Sequence, residues 1–196
     1  ESPSLRLSPT STGGPPRTRH QTKDIVHECS SINYMIVLDA STLVLLAKSD
    51  LLPLLAEKTP IEIPPEVQQE ATARRELYDA RMIEGMLRTG KIQVSKSVRP
   101  ERRRQIHADF GLEAGEAAAL LLAKENDQPL GTDDGPAIKA AKIMGIPFFT
   151  AIHVLLELHE KGRMDEKTAL VKLDILQKVG RYSIQILEDA RKRIRE

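Results

Sequence analysis

The chain has 196 residues, 40% apolar and 29% charged, with a net charge of +1. It is long enough to bury a real core and short for two full domains at roughly 100–200 residues each. Its longest unbroken apolar stretch, Ala117 to Ala123, excludes a helical membrane span, which needs ~20 residues, and its single cysteine, Cys29, excludes a disulfide framework, a zinc-cysteine site and a cysteine nucleophile from the rest of the chain, as suits a reducing, cytoplasmic setting.

Residues 1–34 are rich in Ser, Pro and Gly (Ser2, Pro3, Ser4, Pro9, Gly13, Gly14, Pro15, Pro16) with no helical or strand period. Such a segment cannot bury enough surface to offset chain entropy, so it predicts disorder. Met35 opens the first patterned run and reads as the natural start, with residues 1–34 a disordered leader or a start-site artefact. From Met35 onward there are 25 basic and 25 acidic residues. A nucleic-acid partner must therefore be held by local basic patches or through bound cations, because no overall field attracts phosphate.

Met35 to Leu38 reads as a short strand buried on both faces, and Asp39-Ala40-Ser41-Thr42 supplies capping side chains for a helix through Leu43 to Ala47. A helix over 50–57, a strand at 61–63 and a helix opening at Pro65 follow. Further helices are expected at 76–87, 100–109 and 113–124, with a strand at 92–98. The run Ala117 to Leu122 is apolar on all sides, so its helix should be enclosed. A strand at 129–132, a turn at Asp133-Asp134-Gly135, a helix over 136–144 and a strand at 147–150 form another β-turn-α unit. Helices at 152–160, 166–179 and 184–194 complete the chain, with Leu and Ile recurring at spacings of three and four. The sum is a three-layer α/β/α domain over residues 35–150 with a mainly parallel central sheet, and a C-terminal helical extension, 151–196, packed on the same domain.

In an open parallel sheet, ligands bind outside the carboxyl ends of the strands. Here acids gather at those ends: Asp39 after the first strand, Asp133 and Asp134 after the 129–132 strand, Glu70 on the helix after the proline-bounded strand, and Glu116 in the first turns of the enclosed helix. Brought within a few ångströms, they cannot all stay ionised without a compensating charge. Mg²⁺ or Mn²⁺, which prefer oxygen ligands and activate water in phosphodiester cleavage, is the natural partner. Each acid also has a plain structural reading: Asp39 as a helix cap, Glu70 as a solvated surface residue, Glu116 at the positive end of its helix, Asp133-Asp134-Gly135 as a turn.

The order of Met35-Ile36-Val37-Leu38-Asp39-Ala40-Ser41, Pro65-Glu66-Val67-Gln68-Gln69-Glu70, Gly115-Glu116-Ala117-Ala118-Ala119-Leu120 and Leu130-Gly131-Thr132-Asp133-Asp134 resembles the PIN-domain family, a metal-dependent ribonuclease fold that includes toxins of prokaryotic toxin-antitoxin pairs. Residues 115–182 are further similar to a PIN subfamily with added C-terminal helices. The resemblance implies that Asp39, Glu116 and Asp134 ligate Mg²⁺ or Mn²⁺, that Glu70 completes the catalytic site directly or through water, and that Ser41 and Asp133 support it. Asp133 would assist or replace Asp134. The resemblance also implies an RNA substrate, a small antitoxin partner and homodimerisation. Two departures stand out: Gly135-Pro136-Ala137-Ile138 replaces the common Arg or Lys after the last Asp, leaving Lys139 as the nearest base, and the third acid is Glu where many members have Asp.

Competing motifs fail on chemistry. Gly85 to Lys91 has the glycine and lysine spacing of a phosphate-binding loop, but Ile92 replaces the Ser or Thr, and the segment follows a helix instead of a strand. A haloacid-dehalogenase-type phosphatase needs a second Asp where Ser41 stands. His107, His153 and His159 lack metal-helix spacing and read as surface or packing residues. Lys96, Arg99, Arg102, Arg103 and Arg104, with Lys139, are the candidate RNA-backbone contacts, against the plain reading of a solvated helix face. With six aromatics in all, readout by base stacking is not expected. The chain thus reads as a Mg²⁺- or Mn²⁺-dependent endoribonuclease. The alternatives are a non-catalytic PIN-like module binding RNA or protein, and a structure-specific DNA nuclease.

Overall fold

The computed structural model describes residues 35–96 and 98–196; the expectations for residues 1–34 lie outside them. Strand β1 (Ile36–Leu38) is buried along its whole length, as an apolar run with neighbours on both faces must be. Asp39 follows in extended conformation and accepts a hydrogen bond from the Thr42 amide, so α1 (Ala40–Lys48) starts on the expected cap. Next come α2 (Leu52–Ala56), β2 (Ile61–Ile63) and α3 (Pro65–Ala71), the last opened by a proline whose missing amide hydrogen costs nothing in a first turn. Then follow α4 (Tyr78–Arg88), β3 (Ile92–Val94), α5 (Pro100–Phe110), α6 (Ala114–Asn126), β4 (Leu130–Gly131), α7 (Gly135–Met144) and β5 (Phe148–Phe149). The C-terminal helices are α8 (Ala151–Glu160), α9 (Glu166–Val179) and α10 (Ile184–Arg195).

Strand β3 is shorter than its 92–98 expectation. It lies at the sheet edge, where β2 is its one neighbour, and β2 runs into Pro64 and Pro65. The Ser95 amide makes the last bond of that ladder, to the Ile63 carbonyl at 2.9 Å. Beyond it no partner backbone remains.

All five strands are parallel, in the order β3-β2-β1-β4-β5. From β1 the chain steps outward to β2 and β3, then crosses back to β4 and β5. Right-handed crossovers in opposite directions place the connecting helices on opposite faces of the sheet. The order reverses between β1 and β4, and a crevice opens outside the carboxyl ends of strands at such a switch point. Helix α6 packs on β1 and β4 and is sealed in the core, with Ala117, Ala118, Ala119 and Leu120 fully buried. Helix α1 packs against α3, α4, α8 and α9, while α8, α9 and α10 pack on one another. Lys172 of α9 donates to the Ser49 carbonyl at 2.8 Å, so the extension is tied to the C-terminal end of α1 by a cation where the helix dipole favours one. Among the described residues no helix is long and apolar enough to cross a membrane.

Candidate active site

The switch point gathers three helix N-termini. Asp39 caps α1, Asp134 caps α7 by accepting from the Ala137 amide at 2.9 Å, and Glu116 in the first turn of α6 reaches back to accept from the Glu113 amide at 2.9 Å. The plain capping readings are therefore realised for all three. In Asp134 and Glu116 the cap hydrogen bond engages one carboxylate oxygen. The positive ends of three helix dipoles also lessen the cost of collecting negative charge there.

Asp39 is the most enclosed of these acids, 1% exposed. Its Oδ1 accepts from Ser41 Oγ at 2.9 Å and the Thr42 amide at 2.8 Å, and its Oδ2 from Thr132 Oγ1 at 2.6 Å. Those donors favour the ionised form, but burial outweighs them and pushes the carboxyl up to about 7. Thr132 joins both strand ends: the hydroxyl that donates to Asp39 accepts from the Asp134 amide at 3.3 Å. Ser41 makes a parallel link, its Oγ accepting from the Asp133 amide at 3.4 Å.

Asp133 points elsewhere. Its Oδ2 accepts from Thr42 Oγ1 at 2.7 Å and the Ala151 amide at 2.9 Å, and its Oδ1 from the Tyr182 hydroxyl at 2.6 Å. Burial raises this carboxyl too, against the pull of its three donors. His153, in the first turn of α8, is held below its usual range by burial and then by Arg193, against the pull of the Asp133 carboxylate.

Glu70 and Glu116 form the other side. Both carboxyls are raised, first by burial; neighbouring carboxylates then add to this, Glu113 for Glu70 and Asp134, Glu113 and Glu70 for Glu116. A Cβ built on Gly115 would lie 2.7 Å from Glu70 Oε2; the glycine leaves the space that the Glu70 carboxylate occupies against the start of α6. Glu66, four residues earlier on α3, takes the cation instead, pairing with Arg103. None of Asp39, Glu70, Glu116, Asp133 and Asp134 makes an ion pair with Lys or Arg among the described residues.

The single tight cage of carboxylates foreseen from the sequence is not what the structure shows. Among the described residues no three His, Cys, Asp or Glu side chains form a ready metal-holding group. The reason is local: Asp39, Asp134 and Glu116 are each turned onto a helix amide, and Asp133 onto donors from three elements. The acids form two neighbourhoods instead, Asp39 with Asp133 and Glu116 with Asp134, Glu113 and Glu70. The chemistry of these acids nonetheless fits a hard divalent cation: every donor is oxygen, several carboxyls are raised by burial and neighbouring carboxylates, and none pairs with Lys or Arg among the described residues.

The basic residues divide. Arg103 is spent on Glu66, while Arg102 pairs with Glu125 at 3.3 Å and Arg104 with Glu101 at 3.7 Å. Lys96, Arg99 and Lys139 are exposed and make no ion pair among the described residues. Sequence reasoning did not single out Thr132, Thr42, Glu113 or Tyr182. Thr132 lay inside a motif already noted, and Glu113 stands at capping-box spacing from Glu116. Nothing in the pattern around Tyr182 marks it.

A family model described as PIN domain matches residues 35–196. Among solved structures, that of PAE2754 from Pyrobaculum aerophilum is similar to this chain, at 20% identity and a TM-score of 0.48 over 65% of this chain and 98% of that one. No curated protein matches. With its family match spanning both the sheet and the C-terminal helices, the chain belongs to the PIN-domain family.

Proposed function

We propose that the chain is a Mg²⁺- or Mn²⁺-dependent endoribonuclease that hydrolyses phosphodiesters in single-stranded or looped RNA. One observation supports the reading: none of Asp39, Glu70, Glu116 and Asp134 makes an ion pair with Lys or Arg among the described residues, and Glu116 feels the charge of both Asp134 and Glu70. Asp39, Glu116 and Asp134 would hold the ion, with Glu70 completing the site directly or through water. When bound, it would activate a water and neutralise charge growing on the phosphate. The chain's own share is orientation. Ser41 and Thr132 fix both oxygens of Asp39, and Lys96, Arg99 and Lys139 are free to take RNA phosphates.

The family resemblance supports a toxin role checked by a small antitoxin, a homodimer and a cytoplasmic location. The cap hydrogen bonds favour a second reading, a non-catalytic module binding RNA or protein in which the acids serve their helices. Calorimetric titration with Mn²⁺ separates the two: tight binding lost in Asp39→Asn supports the enzyme, and no binding by the wild-type chain supports the module. Paired cleavage assays on RNA and DNA test the substrate class, and cleavage of DNA alone would replace the ribonuclease assignment with a DNA nuclease.

A further inference from the structure

Tyr182 lies in the segment between α9 and α10, more than 140 residues from Asp39 in sequence, yet its hydroxyl reaches the strand-end turn beside the acids. It donates to Asp133 Oδ1 at 2.6 Å. The phenol keeps its proton, because burial and the adjoining carboxylate both push its ionisation above the usual tyrosine range. Its ring is also held in place. A Cβ on Gly180 would collide with the ring and would lie 2.9 Å from the Leu176 carbonyl, so the chain folds back over a position that only glycine fills without displacement.

Asp133 is therefore gripped from three separate elements: Thr42 of α1, the first amide of α8 and Tyr182. All its side-chain oxygens are engaged, and it is next in sequence to Asp134 and Thr132. The planar peptides on either side of Asp133 transmit its placement to those neighbours. The Asp133 amide bonds Ser41 Oγ and the Asp134 amide bonds Thr132 Oγ1, and both hydroxyls donate to Asp39.

We propose that Tyr182 is a positioning residue of the acid site: by holding Asp133 it sets the β4–α7 turn that presents Asp134 and Thr132 to Asp39. The C-terminal helices thus contribute to the site through the Tyr182 hydroxyl as well as through the first amide of α8. The inference rests on the nuclease reading only for what the positioned acids bind.

The test uses the full chain, with Mn²⁺ alone as probe, in wild type, Tyr182→Phe and Thr42→Val. The two variants each remove one hydroxyl from Asp133, one from the extension and one from α1; Thr42 also gives its amide to Asp39, so Tyr182→Phe is the deciding variant. Amide hydrogen exchange at Ala151 and Asp134 reports the network with no metal present. The expected result is faster exchange at both amides, Mn²⁺ affinity lowered ~10-fold in each variant, as for other outer-shell partners of metal ligands, and cleavage turnover restored at saturating Mn²⁺. Unchanged Mn²⁺ affinity in Tyr182→Phe, with or without faster exchange, would overturn the proposal by leaving Tyr182 a structural tie. Should Tyr182→Phe fail to fold, Thr42→Val decides alone, unchanged affinity again overturning it. A wild-type chain that binds no Mn²⁺ refutes the nuclease reading, and this inference falls with it.

Discussion

Asp39, next after β1, and Asp133 and Asp134, in the turn after β4, are held by hydroxyls and helix amides at 2.6–2.9 Å, whereas Glu70 and Glu116 rise from helix turns on longer side chains. Glu116 takes one amide at 2.9 Å, and the Glu70 carboxylate makes no hydrogen bond among the described residues. The contrast separates two ways of placing a carboxylate. A short side chain at a strand end is fixed by its surroundings before any ligand arrives; a long one on a helix is placed by the space left for it, here above Gly115. On the proposed reading the aspartate side would set the geometry and the glutamate side would adjust to a cation.

The largest effect is expected from Asp39→Asn. Outer-shell substitutions at metal sites cost about 10–100-fold, so loss of a direct ligand should lower metal-dependent cleavage by more than ~100-fold while circular dichroism stays unchanged. Cleavage at the wild-type rate in a clean preparation would sink the assignment of the aspartate side.

Protonation offers a second probe. With Asp39 pushed from 3.8 to about 7, the folded state keeps a proton that the unfolded chain gives up. Metal-free stability should therefore fall as pH rises from about 4 to about 7, by at most ~4 kcal/mol. Denaturant titrations at pH 5 and pH 8 measure this. Added Mn²⁺ should restore stability at pH 8 far more than at pH 5, and Asp39→Asn should flatten the profile. An equally steep profile in that variant would move the titration to the glutamate side.

Thr132→Val leaves Asp39 Oδ2 without its hydroxyl donor and should cost about 1–3 kcal/mol at pH 8, with a smaller loss at pH 5, where the carboxyl is protonated. Gly115→Ala sharpens the other side of the comparison. The obstructed atom is the far end of a flexible side chain, so stability should change by less than ~1 kcal/mol, while Mn²⁺ affinity falls by up to ~10-fold, as in Glu70→Gln. Wild-type affinity in both variants would remove Glu70 from the site.

The smallest effects belong to the basic residues. Lys96→Ala and Arg99→Ala should leave stability within ~0.5 kcal/mol and weaken RNA binding with a shallower salt dependence. Arg103→Ala should instead cost stability by stranding Glu66, whose Oε2 is already buried without a hydrogen-bond partner.

The sheet and most helices were legible because local chemistry agrees with the fold at β1, at the Asp39 cap and in the sealed run of α6. Strand β3 was overextended because the sequence of an edge strand does not reveal that its neighbour stops at Pro64. The candidate acids were visible as residues at strand ends, but where each oxygen points was not: that depends on which amide or hydroxyl lies nearest. Tyr182 is the clearest case, since its partner Asp133 is 49 residues away and no periodicity links them. Arg103 fails for a similar reason, a basic run giving no sign of which member meets Glu66.

Helix α6 has its first turn among the acids and its body locked among Leu120, Leu121 and Leu122 in the core. It behaves as a mast stepped in the hull: Glu116 inherits its bearing from core residues of its own helix. A cavity opened at Leu120, where interior packing tolerates no slack, would therefore tilt the helix and surface as a catalytic defect in a chain that still folds.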